Sequence, residues 1–149
     1  MILSPEDLVA CDKSDMGCNG GWLDHAWNYL EKTGAVTDTC FPYTSGSGSV
    51  PKCAAKCVDG SDYKKYKCKK GSVVEATTVD QIKAEIFTNG PMETGFMVYQ
   101  DFMNYKSGIY KYTSGGLLGG HAVKMLGWGS ENGVNYWICA NSWNTKWGE

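Results

Sequence analysis

The chain has 149 residues, 42% of them apolar, which is enough for a globular domain with a buried core. Its 14 basic and 16 acidic residues give a net charge of -2, and no element carries a basic excess, which argues against a nucleic-acid partner. No apolar run approaches the roughly 18 residues of a membrane-spanning helix, so no membrane partner is expected.

The first part of the chain predicts short helices joined by turns. The sequence Ser-Pro-Glu-Asp places an N-cap at Ser4, and the helix that begins there ends before Asp12. Residues 17–21, Gly-Cys-Asn-Gly-Gly, predict a tight turn, and residues 22–30 predict a second helix. The stretch 41–60, rich in glycine and serine and bracketed by cysteines, predicts a stapled surface loop within one domain.

The second part of the chain is predicted to be mostly β. The elements that precede its last hairpin are a strand at 71–76, a helix at 79–89, and strands at 92–98 and 108–112. The hairpin itself occupies residues 119–143. Helices followed by strands predict an α+β protein with a helical, cysteine-rich half at 1–60 and a sheet half at 61–149.

Cysteine is unusually frequent, and the seven cysteines lie at positions 11, 18, 40, 53, 57, 68 and 139. Such a density favours disulfides and an oxidising compartment. Zinc is the competing interpretation, but Cys53 and Cys57 form at most half a site, and no second close pair of Cys or His follows. No metal is therefore predicted. Because the count is odd, at least one cysteine lacks a partner within the chain, and Cys139 is interpreted as a buried core thiol.

The last hairpin carries His121, one of only two histidines, and reaches Asn141 twenty residues later. If the turn centres on Glu131, then Val123 pairs with Cys139, and His121 lies directly opposite Asn141. Opposed residues of antiparallel strands have Cβ atoms about 4.5–5.5 Å apart, so the asparagine carbonyl is expected to reach an imidazole N–H. A bulge would shift this register by one residue.

A histidine beside an asparagine suits one kind of chemistry. An imidazole that acts as a base needs a fixed tautomer, and a neutral amide orients the ring of a thiolate–imidazolium pair without adding charge. The alternative is that His121 is a buried strand residue bonded to a backbone carbonyl. The flexible glycines 119–120 and the nearby indoles of Trp143 and Trp147 favour the functional interpretation.

Three motifs, in this order, resemble those of papain-like cysteine peptidases: residues 17–21 (Gly-Cys-Asn-Gly-Gly), 120–123 (Gly-His-Ala-Val) and 141–143 (Asn-Ser-Trp). Further details resemble the cathepsin B branch: Cys53 with Cys57, residues 89–93 and residues 105–108. The resemblance covers the whole chain. It implies a two-lobed fold, a helical lobe and an antiparallel β-barrel lobe with the active site in the groove between them, incomplete here at both ends.

The resemblance also implies roles for particular residues. His121 would be the catalytic base, and Asn141 would orient it. Substrate contacts would come from Gly20, Gly21, Trp22, Gly95, Ala122 and Trp143, where Gly95 and Ala122 line the pocket for the second residue on the acyl side. The implied partners are peptide or protein substrates, a propeptide and protein inhibitors of a monomeric enzyme that uses no cofactor.

The family's nucleophile has no match in this chain. The family places that cysteine roughly 130–150 residues before the histidine, and its oxyanion glutamine further upstream, so both are expected before residue 1. Residues 1–7 also lack a secretory leader, which fits a missing N-terminal segment. Cys18 is the alternative nucleophile, because it precedes a helix. The resemblance instead pairs Cys18 with a missing cysteine, and implies Cys11–Cys53 and Cys40–Cys57 disulfides.

The resemblance therefore predicts a cysteine endopeptidase, lysosomal, vacuolar or secreted, of which this chain is an inactive part. The span 44–50 corresponds to the cathepsin B loop that carries paired histidines, but here it has none, so dipeptide trimming is not expected. His25 is interpreted as a surface residue. Two alternatives stay open: a non-catalytic homologue that binds protein or matrix, and a small disulfide-rich structural module.

Overall fold

The structure is a computed structural model that describes residues 1–149, and it divides into two compact units, Met1–Val74 and Glu75–Glu149. The sequence boundary at residue 60 is wrong, because segment 61–74 pairs with the helical unit. Tyr66 and Ala35 exchange two backbone hydrogen bonds, of 2.8 and 3.0 Å. Further along, the Cys68 N–H donates to the carbonyl of Leu30 at 3.1 Å.

The first unit begins with the two helices that the sequence predicts. The Ser4 hydroxyl accepts a hydrogen bond from the Asp7 N–H at 3.0 Å, which caps the first helix, and this helix ends before Asp12. The elements of this unit are α1 (Pro5–Cys11), a 3₁₀ turn at Gly17–Asn19, α2 (Leu23–Lys32) and a 3₁₀ turn at Ser45–Ser47. The stretch 41–60 otherwise has no regular structure, as its composition predicts.

Two disulfides join α1 and the loop 41–60 to the core of this unit. They are Cys11–Cys53 and Cys40–Cys57, the pairs that the family resemblance implies. Around them pack Ala10, Val36 and Phe41, all buried. The crosslinks hold a segment that has almost no backbone ladder of its own, which explains how so loop-rich a unit retains a defined core.

Two acidic side chains of α1, Glu6 and Asp7, are fully buried in the same unit. Asp7 accepts hydrogen bonds from the Tyr29 hydroxyl at 2.7 Å and from the Val36 N–H at 2.8 Å. Its carboxylate also lies 2.6 and 2.7 Å from the ammonium of Lys65. Burial of a charge is tolerated only with such partners, so this network ties α1 to α2 and to the segment after residue 60.

Glu6 fixes the loop that begins at Thr44. Its carboxylate accepts hydrogen bonds from the Thr44 N–H at 2.7 Å, from the Ser45 N–H at 3.1 Å and from the Ser45 hydroxyl at 2.5 Å. Burial raises the pKa of Glu6, but these three hydrogen bonds outweigh it and hold the pKa below its ordinary value of 4.5. The start of the span 44–50 is therefore anchored to α1.

A Glu6→Gln variant is expected to lose about 2 kcal/mol of unfolding free energy at pH 7, because an amide cannot satisfy all three donors. The folded pKa lies below the unfolded value, so the stabilisation by Glu6 is complete above about pH 4.5 and is lost as the pH falls through the folded pKa. Urea unfolding of both proteins at pH 7, 5, 4 and 3 measures this. A difference that stays constant over that range would contradict the assignment.

The second unit consists of one helix and a three-stranded antiparallel sheet of order β1–β2–β3. Its elements are α3 (Val79–Asn89), β1 (Met92–Tyr99), a 3₁₀ turn at Gln100–Asn104, β2 (Leu117–Glu131) and β3 (Val134–Ala140). The helix α3 and the strand β1 lie where the sequence predicts them. Of the antiparallel β-barrel lobe that the resemblance implies, this unit contains the three-stranded sheet. No helix of the structure is long enough to cross a bilayer, since the longest, α3, has 11 residues.

The strands predicted at 71–76 and 108–112 are absent. The second of these segments is held by side-chain bonds instead of a strand ladder. The Tyr110 hydroxyl donates to the Asp101 carboxylate at 2.7 Å, and the Thr113 N–H donates to it at 2.8 Å. The Thr113 N–H bond, aided by the Tyr110 hydroxyl and opposed by burial, lowers the pKa of Asp101 to about 2. The Asp101 carboxylate therefore fixes the connection between β1 and β2 through these hydrogen bonds.

Cys139 lies on the edge strand β3 and is exposed, so its interpretation as a buried core thiol is wrong.

The second unit has its core elsewhere, around Phe102. The Phe102 ring contacts those of Phe96, Tyr110 and Trp147, with centroids 5.2, 4.7 and 4.8 Å away. This aromatic cluster joins β1 to the segment that follows β3.

Candidate active site

A β-bulge in β2 decides which face of the sheet His121 and Asn141 share. Near the turn, Trp128 pairs with Trp137, a register that would place Asn141 opposite Lys124 and thus on the other face from His121. One extra residue, Leu126, lies in β2 between the two registers, and beyond it Lys124 pairs with Ala140. The shifted register returns His121 and Asn141 to one face.

The direct opposition of His121 and Asn141 predicted from the sequence is therefore wrong, although the contact itself is present. His121 pairs with Phe96 of β1 on one side, and Asn141 lies one diagonal step away on the other, just after the end of β3. The His121 Nε2 lies 2.7 Å from the Asn141 Oδ1. The side chains of diagonal neighbours can still reach one another. The contact between His121 and Asn141 therefore forms even though the observed register differs from the predicted one by two residues.

The hydrogen bonds around Asn141 fix the tautomer of His121. The Ser142 N–H lies 2.7 Å from the same amide atom that faces the imidazole. Because a backbone N–H only donates, that atom must be the carbonyl oxygen, and the His121 Nε2 facing it must carry the proton. The neutral imidazole therefore has an unprotonated Nδ1, ready to accept a proton. The Asn141 Nδ2 is buried without a partner, so the amide is held through its oxygen alone.

Aromatic rings enclose the His121 imidazole on two sides. The Trp143 ring lies 4.7 Å from it, tilted by 31°, and the Phe96 ring contacts it edge-on at 5.9 Å. Trp143 in turn packs against Phe102 and Trp147, at 5.6 and 5.1 Å. The aromatic core of this unit thus extends up to the histidine and covers part of its bond to the amide, and a lower local dielectric strengthens that bond.

The next two sequence-predicted residues of this unit lie opposite one another. Gly95 of β1 pairs with Ala122 of β2, immediately beside His121, and both are exposed. Because side chains alternate along a strand, Ala122 points to the opposite face from His121. Because glycine and alanine have little or no side chain, neither residue covers the surface of the sheet with a bulky group.

The other three predicted residues lie in the first unit, between the 3₁₀ turn and α2. Gly20 uses both of its backbone groups internally, donating to the Gly17 carbonyl at 3.3 Å and accepting from the Met16 N–H at 3.0 Å. Gly21 is exposed, and neither its N–H nor its carbonyl has a partner. The indole of Trp22 is 65% exposed. Gly21 therefore offers one free donor and one free acceptor to an extended chain.

Comparison with known proteins identifies the family of this chain. All of residues 1–149 match the papain family of cysteine proteases. The chain belongs to that family. Cathepsin B-like CP3 of Giardia intestinalis is 49% identical over 98% of this chain and 50% of its own length. Cathepsin B of Dictyostelium discoideum is 41% identical over 99% of this chain and 51% of its own length.

The papain-family fold is also that of a solved structure. ProCathepsin B S9 from Trypanosoma congolense superposes with a TM-score of 0.86 at 38% identity, over 98% of this chain and 51% of that one. The α+β architecture predicted from the sequence is confirmed by this match. This member of the papain family spans about half the length of the relatives that it matches.

Cys18, the alternative nucleophile, lies outside the first turn of α2. It lies in the 3₁₀ turn, whereas α2 has its N-cap at Trp22, and the field of a helix falls off within its first turn. The Cys18 thiol is exposed, and its one contact is with the carbonyl of Ser45, at 4.0 Å. No group of three His, Cys, Asp or Glu side chains is placed to hold a metal ion.

Proposed function

We propose that this chain carries the base and the orienting residue of a cathepsin B-like cysteine endopeptidase. The observation that supports this most strongly is the 2.7 Å bond between the His121 Nε2 and the Asn141 Oδ1, which leaves the His121 Nδ1 free. His25, the other histidine, has no such amide partner, because its Nδ1 bonds to the Asp15 carboxylate and to a backbone carbonyl.

In this mechanism, the His121 Nδ1 takes the proton of a thiol supplied from outside residues 1–149. The resulting thiolate attacks the carbonyl carbon of the peptide, and the imidazolium then donates its proton to the leaving amine. A water molecule, deprotonated by the same nitrogen, hydrolyses the thioester and regenerates the thiol. Asn141 keeps the ring in one orientation throughout, and Trp143 shields the bond between them. No step needs a metal or a cofactor.

We further propose that the extended substrate pairs with the free N–H and carbonyl of Gly21, beside Gly20 and Trp22. Gly95 and Ala122 would line the pocket for the second residue on the acyl side, and Trp143 the leaving-group side. The span 44–50 has no histidine to hold a C-terminal carboxylate, which supports cleavage within chains instead of dipeptide trimming.

The same proposal extends to partners and location. Substrates would be peptides or unfolded proteins, with a propeptide and protein inhibitors acting on a monomer. The two disulfides support an oxidising compartment, lysosomal, vacuolar or extracellular. A non-catalytic homologue that binds protein or matrix is the second candidate.

A chimera tests the proposal. Residues 1–149 would replace the matching segment of the Giardia relative, whose remaining sequence is expected to supply the nucleophile. We expect the chimera to cleave internal bonds of peptides and to be inactivated by a thiol-alkylating reagent, while residues 1–149 alone cleave nothing.

Three results would count against this proposal. A folded chimera that binds peptides without cleaving them would favour the non-catalytic homologue. Efficient release of C-terminal dipeptides would contradict endopeptidase action. Saturable, inhibitor-sensitive alkylation of Cys18 in the chain alone would show that the nucleophile is internal.

A further inference from the structure

We propose that Asp15, held in place by His25, is a positioning residue that fixes the peptide-binding edge at Gly21. This inference rests on the proposed peptidase function, because it assigns a structural support to the backbone that would bind the substrate. The three residues belong to the same unit, and the relevant contacts are all within the stretch 14–25.

The Asp15 carboxylate bonds to the residue that follows Gly21. Its Oδ1 accepts a hydrogen bond from the Trp22 N–H at 2.9 Å, across seven residues of chain. Its side chain is only 14% exposed although the surrounding loop is exposed. With Gly20 already bonded to Met16 and Gly17, the backbone is fixed on both sides of Gly21, while Gly21 itself stays unpaired.

The carboxylate also lies directly against the backbone of Gly21. A Cβ placed on Gly21 would come within 2.6 Å of the Asp15 Cγ and within 2.9 Å of both carboxylate oxygens. No other residue type fits that approach without a shift of the aspartate. One side of Gly21 is therefore closed by Asp15, so a peptide can approach its free N–H and carbonyl only from the solvent side.

His25 holds the carboxylate from the first turn of α2. Its Nδ1 lies 3.1 Å from the Asp15 Oδ1 and 3.1 Å from the carbonyl oxygen of Ser14. Since both neighbours are acceptors, the Nδ1 must carry a proton, whether the ring is neutral or charged. The carboxylate thus has two donors, Trp22 N–H and His25 Nδ1–H, and these set both its position and its direction.

This arrangement gives Asp15 a specific effect on recognition. A backbone edge that is fixed before the peptide arrives loses little conformational entropy on binding, which favours affinity. Removing the acceptor would leave the Trp22 N–H unpaired and Gly21 free to move, without touching the imidazole that performs the chemistry. The expected loss is therefore in peptide affinity and not in the proton transfer.

The test uses ¹⁵N-labelled residues 1–149, comparing Asp15→Ala with the conservative Asp15→Asn, which retains a carbonyl oxygen at the same place. In Asp15→Ala, we expect the Trp22 amide to exchange with solvent about tenfold faster, as loss of one hydrogen bond implies, and Asp15→Asn to stay within about twofold of the wild type. The Val36 amide, which bonds to buried Asp7 in the same unit, reports on the general fold and should not change.

A second measurement on the same proteins addresses the peptide. Titration with an extended peptide should shift the Gly21 amide resonance of the wild type, and Asp15→Ala should weaken the apparent affinity about tenfold, with recovery in Asp15→Asn. Equal affinities in wild type and Asp15→Ala, no shift of Gly21 in any protein, or equal acceleration of the Val36 amide would overturn the proposal. Neither measurement depends on hydrolysis, so an inactive chimera would bear on the proposed function alone.

Discussion

Changing His121 to alanine in the chimera is expected to lower kcat by about 10³- to 10⁴-fold, the usual contribution of a base that also activates the nucleophile. The loss follows from the geometry, because the His121 Nδ1 is the one ring nitrogen that the bond to Asn141 leaves free. The KM should change little, because the imidazole is not proposed to bind the peptide backbone. Steady-state kinetics with an extended peptide substrate measures both constants.

Two further variants define what this result means. Asn141→Ala should cost less than His121→Ala, because it removes the orientation of the base and leaves the base itself. Asn135→Ala is the matched control, since this exposed residue lies on the same hairpin, paired with Ser130 near the turn. A His121→Ala enzyme with more than about a tenth of wild-type kcat would be incompatible with the assigned role.

Changing Lys65 to methionine is expected to lower the free energy of unfolding by about 3 kcal/mol, the cost of leaving a buried carboxylate without its cation. The Lys65 ammonium lies within 2.7 Å of both oxygens of Asp7, and it also lies over the rings of Tyr29 and Tyr63, at 5.3 and 4.9 Å. Urea unfolding of residues 1–149, followed by circular dichroism, measures the change.

Matched variants separate this effect from a general loss of charge. Lys70→Met, which alters an exposed lysine of the same segment, should change stability by less than about 0.5 kcal/mol. In the double variant Asp7→Asn with Lys65→Met, part of the loss should return, because a neutral amide costs less to bury than an unpaired carboxylate. If Lys65→Met lowered the free energy of unfolding no more than Lys70→Met, the ion pair between Lys65 and Asp7 would not contribute to stability.

The helices could be predicted because their signals are local. Ser4 marks the start of α1, and Gly90 marks the end of α3, as the sequence predicts. The strands at 71–76 and 108–112 were wrongly predicted because a strand needs a partner that the local pattern does not reveal. The buried partners of Asp7 were missed for the same reason, since Lys65 lies 58 residues away in the sequence.

The candidate site shows the same division. Spacing along one hairpin is enough to bring His121 near Asn141, and motif resemblance is enough to propose them as the base and its orienting residue. The register near the turn could have been predicted, because Asn132-Gly133 is a favoured two-residue hairpin turn, and centring the turn on Glu131 overlooked it. The bulge at Leu126 has no sequence signal of its own. The proposed role of Asp15 could not be predicted, because it depends on the contact of Asp15 with Gly21. That contact forms only when the chain folds back on itself.

The bulge at Leu126 has a consequence for how this hairpin tolerates insertions and deletions. A single residue added to or removed from the paired strands between His121 and Asn141 reverses the orientation of one side chain relative to the other, unless a bulge is gained or lost at the same time. Changes of two residues preserve the orientation. Hairpins of different length that retain the pair should therefore differ by an even number of residues or carry a different number of bulges.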